Sequence, residues 1–182
     1  MERYNLTANL YDMRYAEEQE AKFKAALESL KTGNYGMVLD VGCGTGLLFR
    51  HVASKAEEVV GLELSKGTLL KAKERAKDFQ NVHLVMADAD VMPFQKDVFN
   101  TVFAFTLIQN MPEPAKTLNE IKRVAKETAN ITVTGLKKVF SIQKFENLLR
   151  NAGLKIVFLR GENLKCHVAV CIKFSGKLPC KC

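Results

Sequence analysis

The sequence predicts an α/β fold: one sheet whose strands alternate with helices. Strand-like runs rich in β-branched residues alternate with helical patterns from residue 37 to the end. The run Val38-Leu39-Asp40-Val41-Gly42-Cys43-Gly44-Thr45-Gly46 ends an apolar strand on an acid, then places glycine at three alternate positions before a helical pattern. The length, 182 residues with 47% apolar and 26% charged side chains, fits one globular domain with a sizeable core.

The elements follow in order. Tyr15-Ala16, Gln19, Phe23, Ala26-Leu27 and Leu30 recur at helical spacing, with Lys and Glu assigned to the other face; Gly33 and Gly36 end this amphipathic helix. Strand 1 covers Met37 to Val41, and its helix is expected from Thr45 towards Ser54. Strand 2 is Val59 to Glu63, and Ser65 fits an N-cap for a helix through Lys77. Strand 3 is Val82 to Met86, followed by a loop over Val91 to Asp97. Strand 4 is Thr101 to Phe105; Pro112 and Pro114 then open a helix to about Lys126. Strand 5 is Asn130 to Thr134, and a helix from Ile142 to Asn151 ends at Gly153, a C-cap glycine. Strands 6 and 7 are Leu154 to Leu159 and His167 to Ile172. The segment joining them, Arg160 to Cys166, is too short for a crossover helix, so they pair antiparallel.

Composition narrows the function classes. The first residues lack the apolar core of a signal peptide, and no apolar run approaches the ~18 residues of a membrane span, so the expectation is a cytoplasmic protein without a membrane partner. Five cysteines do not suggest a disulfide framework. Cys43 contributes backbone to the glycine loop, Cys166 and Cys171 read as core thiols, and Cys180 and Cys182 form a terminal C-x-C with no second ligand pair nearby, so no metal site is assigned. The net charge is +7, and the basic surplus lies entirely in the last quarter: residues 1–136 carry a net −1 and residues 137–182 a net +8. Such asymmetry marks either a surface for phosphates or nucleic acid, or a solvated lysine-rich face.

The glycine run is not the dinucleotide fingerprint, because Leu47 stands where GxGxxG requires its last glycine. The Asp-x-Gly-x-Gly-x-Gly run instead resembles the S-adenosylmethionine (SAM) site of class I, seven-strand methyltransferases, and of the small type 11-like branch in particular, to which the quinone and arsenite methyltransferases are also similar. Three further segments match in order. Glu63 lies 23 residues after Asp40 at the end of strand 2, Met86-Ala87-Asp88-Ala89-Asp90-Val91-Met92-Pro93-Phe94 follows strand 3, and Phe99-Asn100 through Pro114 spans strand 4, with Asn100 where the family has Asp.

The resemblance implies a Rossmann-like three-layer sandwich with a mostly parallel sheet in the order 3-2-1-4-5-7-6 and strand 7 antiparallel. It divides the single domain 1–182 into a helical segment (1–36), a SAM-binding core (37–135) and basic C-terminal strands (136–182). It assigns Gly42, Cys43, Gly44 and Gly46 to the methionine part of the cofactor and Asp40 to the loop and the ligand's ammonium group. Glu63 is assigned to the ribose hydroxyls, a role a carboxylate at a strand end also plays in dinucleotide sites. Leu64, Asp88 and Ala89 are assigned to the adenine, with Phe105 beside the cofactor.

The reaction this implies is methyl transfer, leaving S-adenosylhomocysteine. It needs chiefly that the acceptor atom be held in line with the methyl group. No general base stands out: His51 and His83 read as structural, and Gln109 and Asn110 are the polar candidates near the transferred methyl. The Asn-Pro-Pro-Tyr of adenine N6 and glutamine methyltransferases is absent. Tyr11 and Tyr15 are candidates to close over the site. Lys137, Lys138, Arg160 and Lys165 converge on the carboxyl edge of the sheet and favour RNA or another translation-related acceptor. A small-molecule acceptor and a non-catalytic SAM-binding or partner subunit are the alternatives. Some small members of the family work with a small activating protein subunit, for which an exposed apolar edge beside strand 3 would be the mark.

Overall fold

The structure is a computed structural model and describes residues 17–30 and 33–174. Seven strands form one sheet in the order β3-β2-β1-β4-β5-β7-β6: β1 (Gly36–Val41), β2 (Ala56–Glu63), β3 (Val82–Met86), β4 (Phe99–Ala104), β5 (Ala125–Leu136), β6 (Leu154–Arg160) and β7 (Cys166–Lys173). The first five strands pair in parallel, and β7 runs antiparallel to both β5 and β6. The expected order and the expected antiparallel hairpin are both present.

Helices α1 (residues 17–29), α2 (Phe49–Val52) and α3 (Lys66–Ala76) cover one face of the sheet, and α4 (Pro114–Val124) and α5 (Ile142–Asn151) cover the other. Each face has its own apolar cluster. Phe23, Ala26, Phe49, Val52 and Ala72 pack with Val38, Val59 and Phe103; Leu118, Ile121, Phe145 and Leu149 pack with Leu39, Val102 and Ile131. Alternate residues of β1 thus serve opposite cores, as an inner strand covered on both faces must. Ser65 and Ser141 cap α3 and α5, each hydroxyl accepting from the backbone N–H three residues on. No helix among the described residues is long and apolar enough to cross a membrane.

Three boundaries differ most from expectation. The helix after the glycine loop is one turn, Phe49–Val52, continued by a 3₁₀ turn, because residues 44–48 are taken up by the loop's own turns. Strand β2 begins at Ala56, three residues early. Strand β5 begins at Ala125, directly off α4, and slips register against β4 between Phe99 and Thr101. Asn100, beside that slip, accepts through Oδ1 from the Met37 N–H and from Lys126 Nζ. It ties β1, β4 and β5 together without the charge an aspartate would bring.

Candidate cofactor site

The carboxyl ends of β1, β2 and β3 lie side by side, with Asp40 opposite Gly61 and Glu63 opposite Met86. Chain direction alone therefore brings Asp40, Glu63 and the Asp88 segment to one edge, where open α/β sheets take ligands. The loop leaving β1 is anchored by two backbone bonds, from Gly42 N and Cys43 N to the Leu62 carbonyl. Gly42, Gly44 and Gly46 all have positive φ. A Cβ at Gly46 would collide with the Phe49 ring, so only glycine closes this turn. A Cβ at Gly44 would meet nothing within 4 Å: it would point into open space, where a ligand can approach the bare backbone.

A cleft of about 150 Å³ occupies that space. The loop and Asp40 form its floor, Leu47, Leu48 and Phe105 form its apolar side, and Gln19 and Phe23 of α1 reach over it. Asp40 is 3% exposed, and no donor among the described residues bonds its carboxyl. Burial, and then the nearby carboxylate of Glu63, push its pKa up to about 7. An unpartnered buried acid on the wall of a cleft is complementary to a cation that enters it. Glu63 is oriented by two backbone donors, Gly44 N–H to Oε2 at 3.1 Å and Ser65 N–H to Oε1 at 2.8 Å. Burial, then the carboxylates of Asp40 and Glu63, raise the Cys43 thiol far above its usual range, so this side chain stays a neutral filler.

Leu64, 66% exposed, stands next to Glu63 as an open apolar surface. Asp88 is exposed and accepts from the Asp90 N–H, while Ala89 is buried. The sequence did not reveal how this loop is held. Thr117 Oγ1 donates to Asp90, Glu120 accepts from the Met92 N–H, and the Arg123 guanidinium donates to the carbonyls of Met92 and Phe94 and to Glu120. Helix α4 thus clamps the segment from the far side.

At the end of β4, Phe105 lies edge-on to Phe23 at 4.8 Å and stacks on Phe103. Thr106 takes a positive φ of 56°. Its N–H donates to Thr134 Oγ1, and its hydroxyl meets Gln19 Nε2 and Lys22 Nζ. Gln19 and Lys22 are buried, contrary to the solvated face expected for the lysines of this helix. Helical spacing from Gln19 and Phe23 places Lys22 inward, and the Thr106 hydroxyl and the Glu18 carboxylate at 2.9 Å receive its charge. Gln109 has a buried Oε1 without a hydrogen-bond partner among the described residues; Asn110 donates to the Thr106 carbonyl and is exposed.

The basic residues do reach the carboxyl edge, but most are engaged. Lys165 pairs with Glu18 at 2.8 Å, Arg160 with Glu28 at 3.7 Å, and Lys137 Nζ donates to the Gly161 carbonyl. Burial opposes ionisation of Glu18, but hydrogen bonds from Lys165 and Lys22 outweigh it and hold the carboxyl below its usual range. Lys138 is exposed and makes no ion pair among the described residues. His51 and His83 pair with Glu20 and Glu58, and neither lines the cleft. Tyr11, Tyr15, Cys180 and Cys182 lie outside the described residues. No group of His, Cys, Asp and Glu that could hold a metal occurs among the described residues.

The strand order, the glycine cradle and the acids at the ends of β1 and β2 define a class I SAM-dependent methyltransferase fold. Residues 39–133 match the type 11 family described as "Methyltransferase domain", and the chain belongs to that family. It is 33% identical over 141 residues to the (+)-O-methylkolavelool synthase of Herpetosiphon aurantiacus, covering 74% of this chain and 49% of that one. It is 29% identical over 113 residues to the demethylmenaquinone methyltransferase of Staphylococcus saprophyticus, covering 60% and 48%. The chain therefore spans about half the length of these curated relatives. Among solved structures, the methyltransferase in a Haloferax volcanii complex with the Trm112 methyltransferase activator superposes with a TM-score of 0.77 at 17% identity, over 92% of this chain and 95% of that one.

SAM is the cofactor of this fold, and the residues present fit it. The bare backbone at Gly44 leaves room for a ligand's amino-acid group, and the Asp40 carboxyl, without a donor among the described residues, is complementary to a cation.

Proposed function

We propose that this chain transfers a methyl group from SAM to a small-molecule acceptor. The observation that carries this reading is the unpartnered, buried Asp40 carboxyl facing the glycine loop, with Glu63 preset beside it. When bound, SAM supplies an electrophilic methyl group on a sulfonium. In this reading Asp40 holds the ammonium end, and both oxygens of Glu63, already aligned by Gly44 and Ser65, accept from the ribose hydroxyls. Leu64 and Ala89 flank the adenine, with Asp88 accepting from its amino group. Phe23, Leu47, Leu48 and Phe105 exclude water from the cleft, which leaves positioning as the main contribution to rate, roughly 7–11 kcal/mol of barrier. Gln109, with its unsatisfied oxygen, is the candidate to orient the acceptor.

The small-molecule acceptor is favoured over RNA because three of the four edge cations already have partners within the chain, and because the two curated relatives described above are named for small molecules. The test incubates the purified chain with methyl-labelled SAM and separate small-molecule, RNA and protein fractions. Label in the small-molecule fraction is expected; label confined to RNA that requires Lys137 and Lys138 would overturn the acceptor assignment. The reading includes a small activating protein subunit, supported by the activator complex of the Haloferax volcanii neighbour. Addition of such an activator is expected to raise the turnover rate.

A further inference from the structure

We propose that a second pocket at the carboxyl edge of the sheet, between the β6–β7 hairpin and α5, anchors the acid-bearing end of the methyl acceptor, which makes the acceptor a small carboxylic acid with an apolar body and a hydroxyl group. This rests on the reading that the acceptor is a small molecule. The pocket, of about 530 Å³, shares no lining residue with the cofactor cleft. Ile142 of α5 and Phe158 and Leu159 of β6 give it an apolar wall, and Lys137, Arg160 and His167 supply polar groups.

His167 is the residue that marks a ligand. It is 7% exposed, stacks on Phe145, and its Nε2 lies 3.1 Å from the Phe140 carbonyl. A carbonyl only accepts, so Nε2 carries the hydrogen, and in the neutral ring Nδ1 keeps its lone pair. That nitrogen has no partner among the described residues. It lies beside Gly161, which also lines the pocket: a Cβ there would stand 3.3 Å from Nδ1 and 3.3 Å from Lys137 Cε. Gly161 does not have a positive φ, so its backbone conformation does not call for glycine. Its missing side chain instead leaves Nδ1 and the lysine stem uncovered. A buried ring nitrogen with a lone pair, open on a pocket, is complementary to a hydroxyl.

Charge selects the other end of the ligand. Lys137 Nζ gives one of its three hydrogens to the Gly161 carbonyl and keeps two. Arg160 meets Glu28 only at 3.7 Å, with both side chains about half exposed, so donors of its guanidinium remain available. Glu162, exposed and without an ion pair among the described residues, is the one carboxylate among them on the lining. Two cations against one anion leave a place for a single carboxylate, not for a polyanion. The location suits an acceptor. His167 lies opposite Gly135 of β5, and Val133 of β5 lies opposite Ala104 of β4. Two strand spacings, about 10 Å, separate the pocket from the end of β4, where Phe105 lines the cofactor cleft. A small molecule anchored here spans that distance.

The probe is 3-(4-hydroxyphenyl)propanoate, titrated by calorimetry into the whole chain at pH 8. Binding is expected, and it should be about fivefold weaker or more for 3-phenylpropanoate, which lacks the hydroxyl, and for 3-(4-hydroxyphenyl)propanamide, which lacks the charge. Gly161→Ala, which covers Nδ1 without backbone strain, should weaken the probe to a similar extent, as should the Lys137→Gln, Arg160→Gln double variant. Glu162→Gln should tighten it. The probe should also slow label transfer from SAM to the small-molecule fraction. Absence of binding, equal binding of either analogue, or binding that Gly161→Ala and the double variant leave unchanged would overturn the proposal. Binding that leaves label transfer untouched would overturn it too, because the pocket would not then hold the acceptor. If the probe fails to bind while label still enters the small-molecule fraction, this pocket is removed and the small-molecule reading stands; label confined to RNA removes both.

Discussion

Acidifying the solution from pH 7 to pH 5.5 should weaken SAM binding about 15-fold, through Asp40 alone. This carboxyl is buried, finds no hydrogen-bond donor among the described residues, and has a pKa raised from 3.8 to about 7 in the free protein. The cofactor's ammonium selects the ionised form. At pH 7 about half of the chains are ready and at pH 5.5 about 3%, a difference of about 1.6 kcal/mol. The ligand's own amine, with an ordinary pKa near 8, stays charged throughout this window.

Binding at pH 6 should therefore release close to one proton. Calorimetry in two buffers of different ionisation enthalpy reads that proton directly, and Asp40→Asn should abolish both the release and the tight binding. The free protein gives a second reading of opposite sign. Because the folded pKa lies above the unfolded one, the stability associated with this group is fully present below pH 3.8 and lost as pH rises through about 7. The full span corresponds to about 4 kcal/mol. Asp40→Asn should thus stabilise the free chain at pH 8, by up to that amount, and leave it unchanged near pH 4. A flat affinity between pH 5.5 and 7, with equal heats in the two buffers, would refute the placement of the ammonium on Asp40.

Other outcomes follow from the same geometry. Gly44→Val should keep the fold by circular dichroism, at about 1–2 kcal/mol of backbone strain from its positive φ, yet lose cofactor binding, since its side chain would project into the cleft. Glu63→Ala should lose about 1–3 kcal/mol of SAM affinity by calorimetry, from unpaired ribose hydroxyls and a released Gly44 N–H. Arg123→Ala, which frees the Met92 and Phe94 carbonyls, should cost about 1–3 kcal/mol in denaturant titration and speed hydrogen exchange across residues 88–94.

Much of this architecture is legible in the sequence because local signals and the global fold agree. The apolar runs of β1 to β4, the serine cap of α3, the glycine that ends α5, and the short hairpin between β6 and β7 each specify their own geometry. The glycine spacing and the positions of Asp40, Glu63 and Asp88 bring these residues to one edge of the sheet, since Asp40 and Glu63 close adjacent parallel strands and Asp88 follows the next one. What escaped the sequence depends on tertiary partners. Lys22 reads as a surface lysine until Thr106, in its left-handed conformation, and Glu18 provide for its charge. The +8 surplus of the last quarter reads as a free basic surface, but Arg160 and Lys165 are paired with carboxylates more than a hundred residues earlier in the chain. The helix after the glycine loop shortens because left-handed glycines at three alternate positions, 42, 44 and 46, interrupt the helical backbone before a turn can be seeded. The Arg123 clamp has no sequence signal beyond a common i,i+3 Glu-Arg pair.

The most direct test is a crystal structure of the chain with S-adenosylhomocysteine. The ligand's amino-acid end is expected in the cleft against Gly42 to Gly46 with its ammonium on Asp40, both ribose hydroxyls on Glu63, and the adenine between Leu64 and Ala89. Ligand density elsewhere, or an Asp40 carboxyl still without a partner in the complex, would contradict the account.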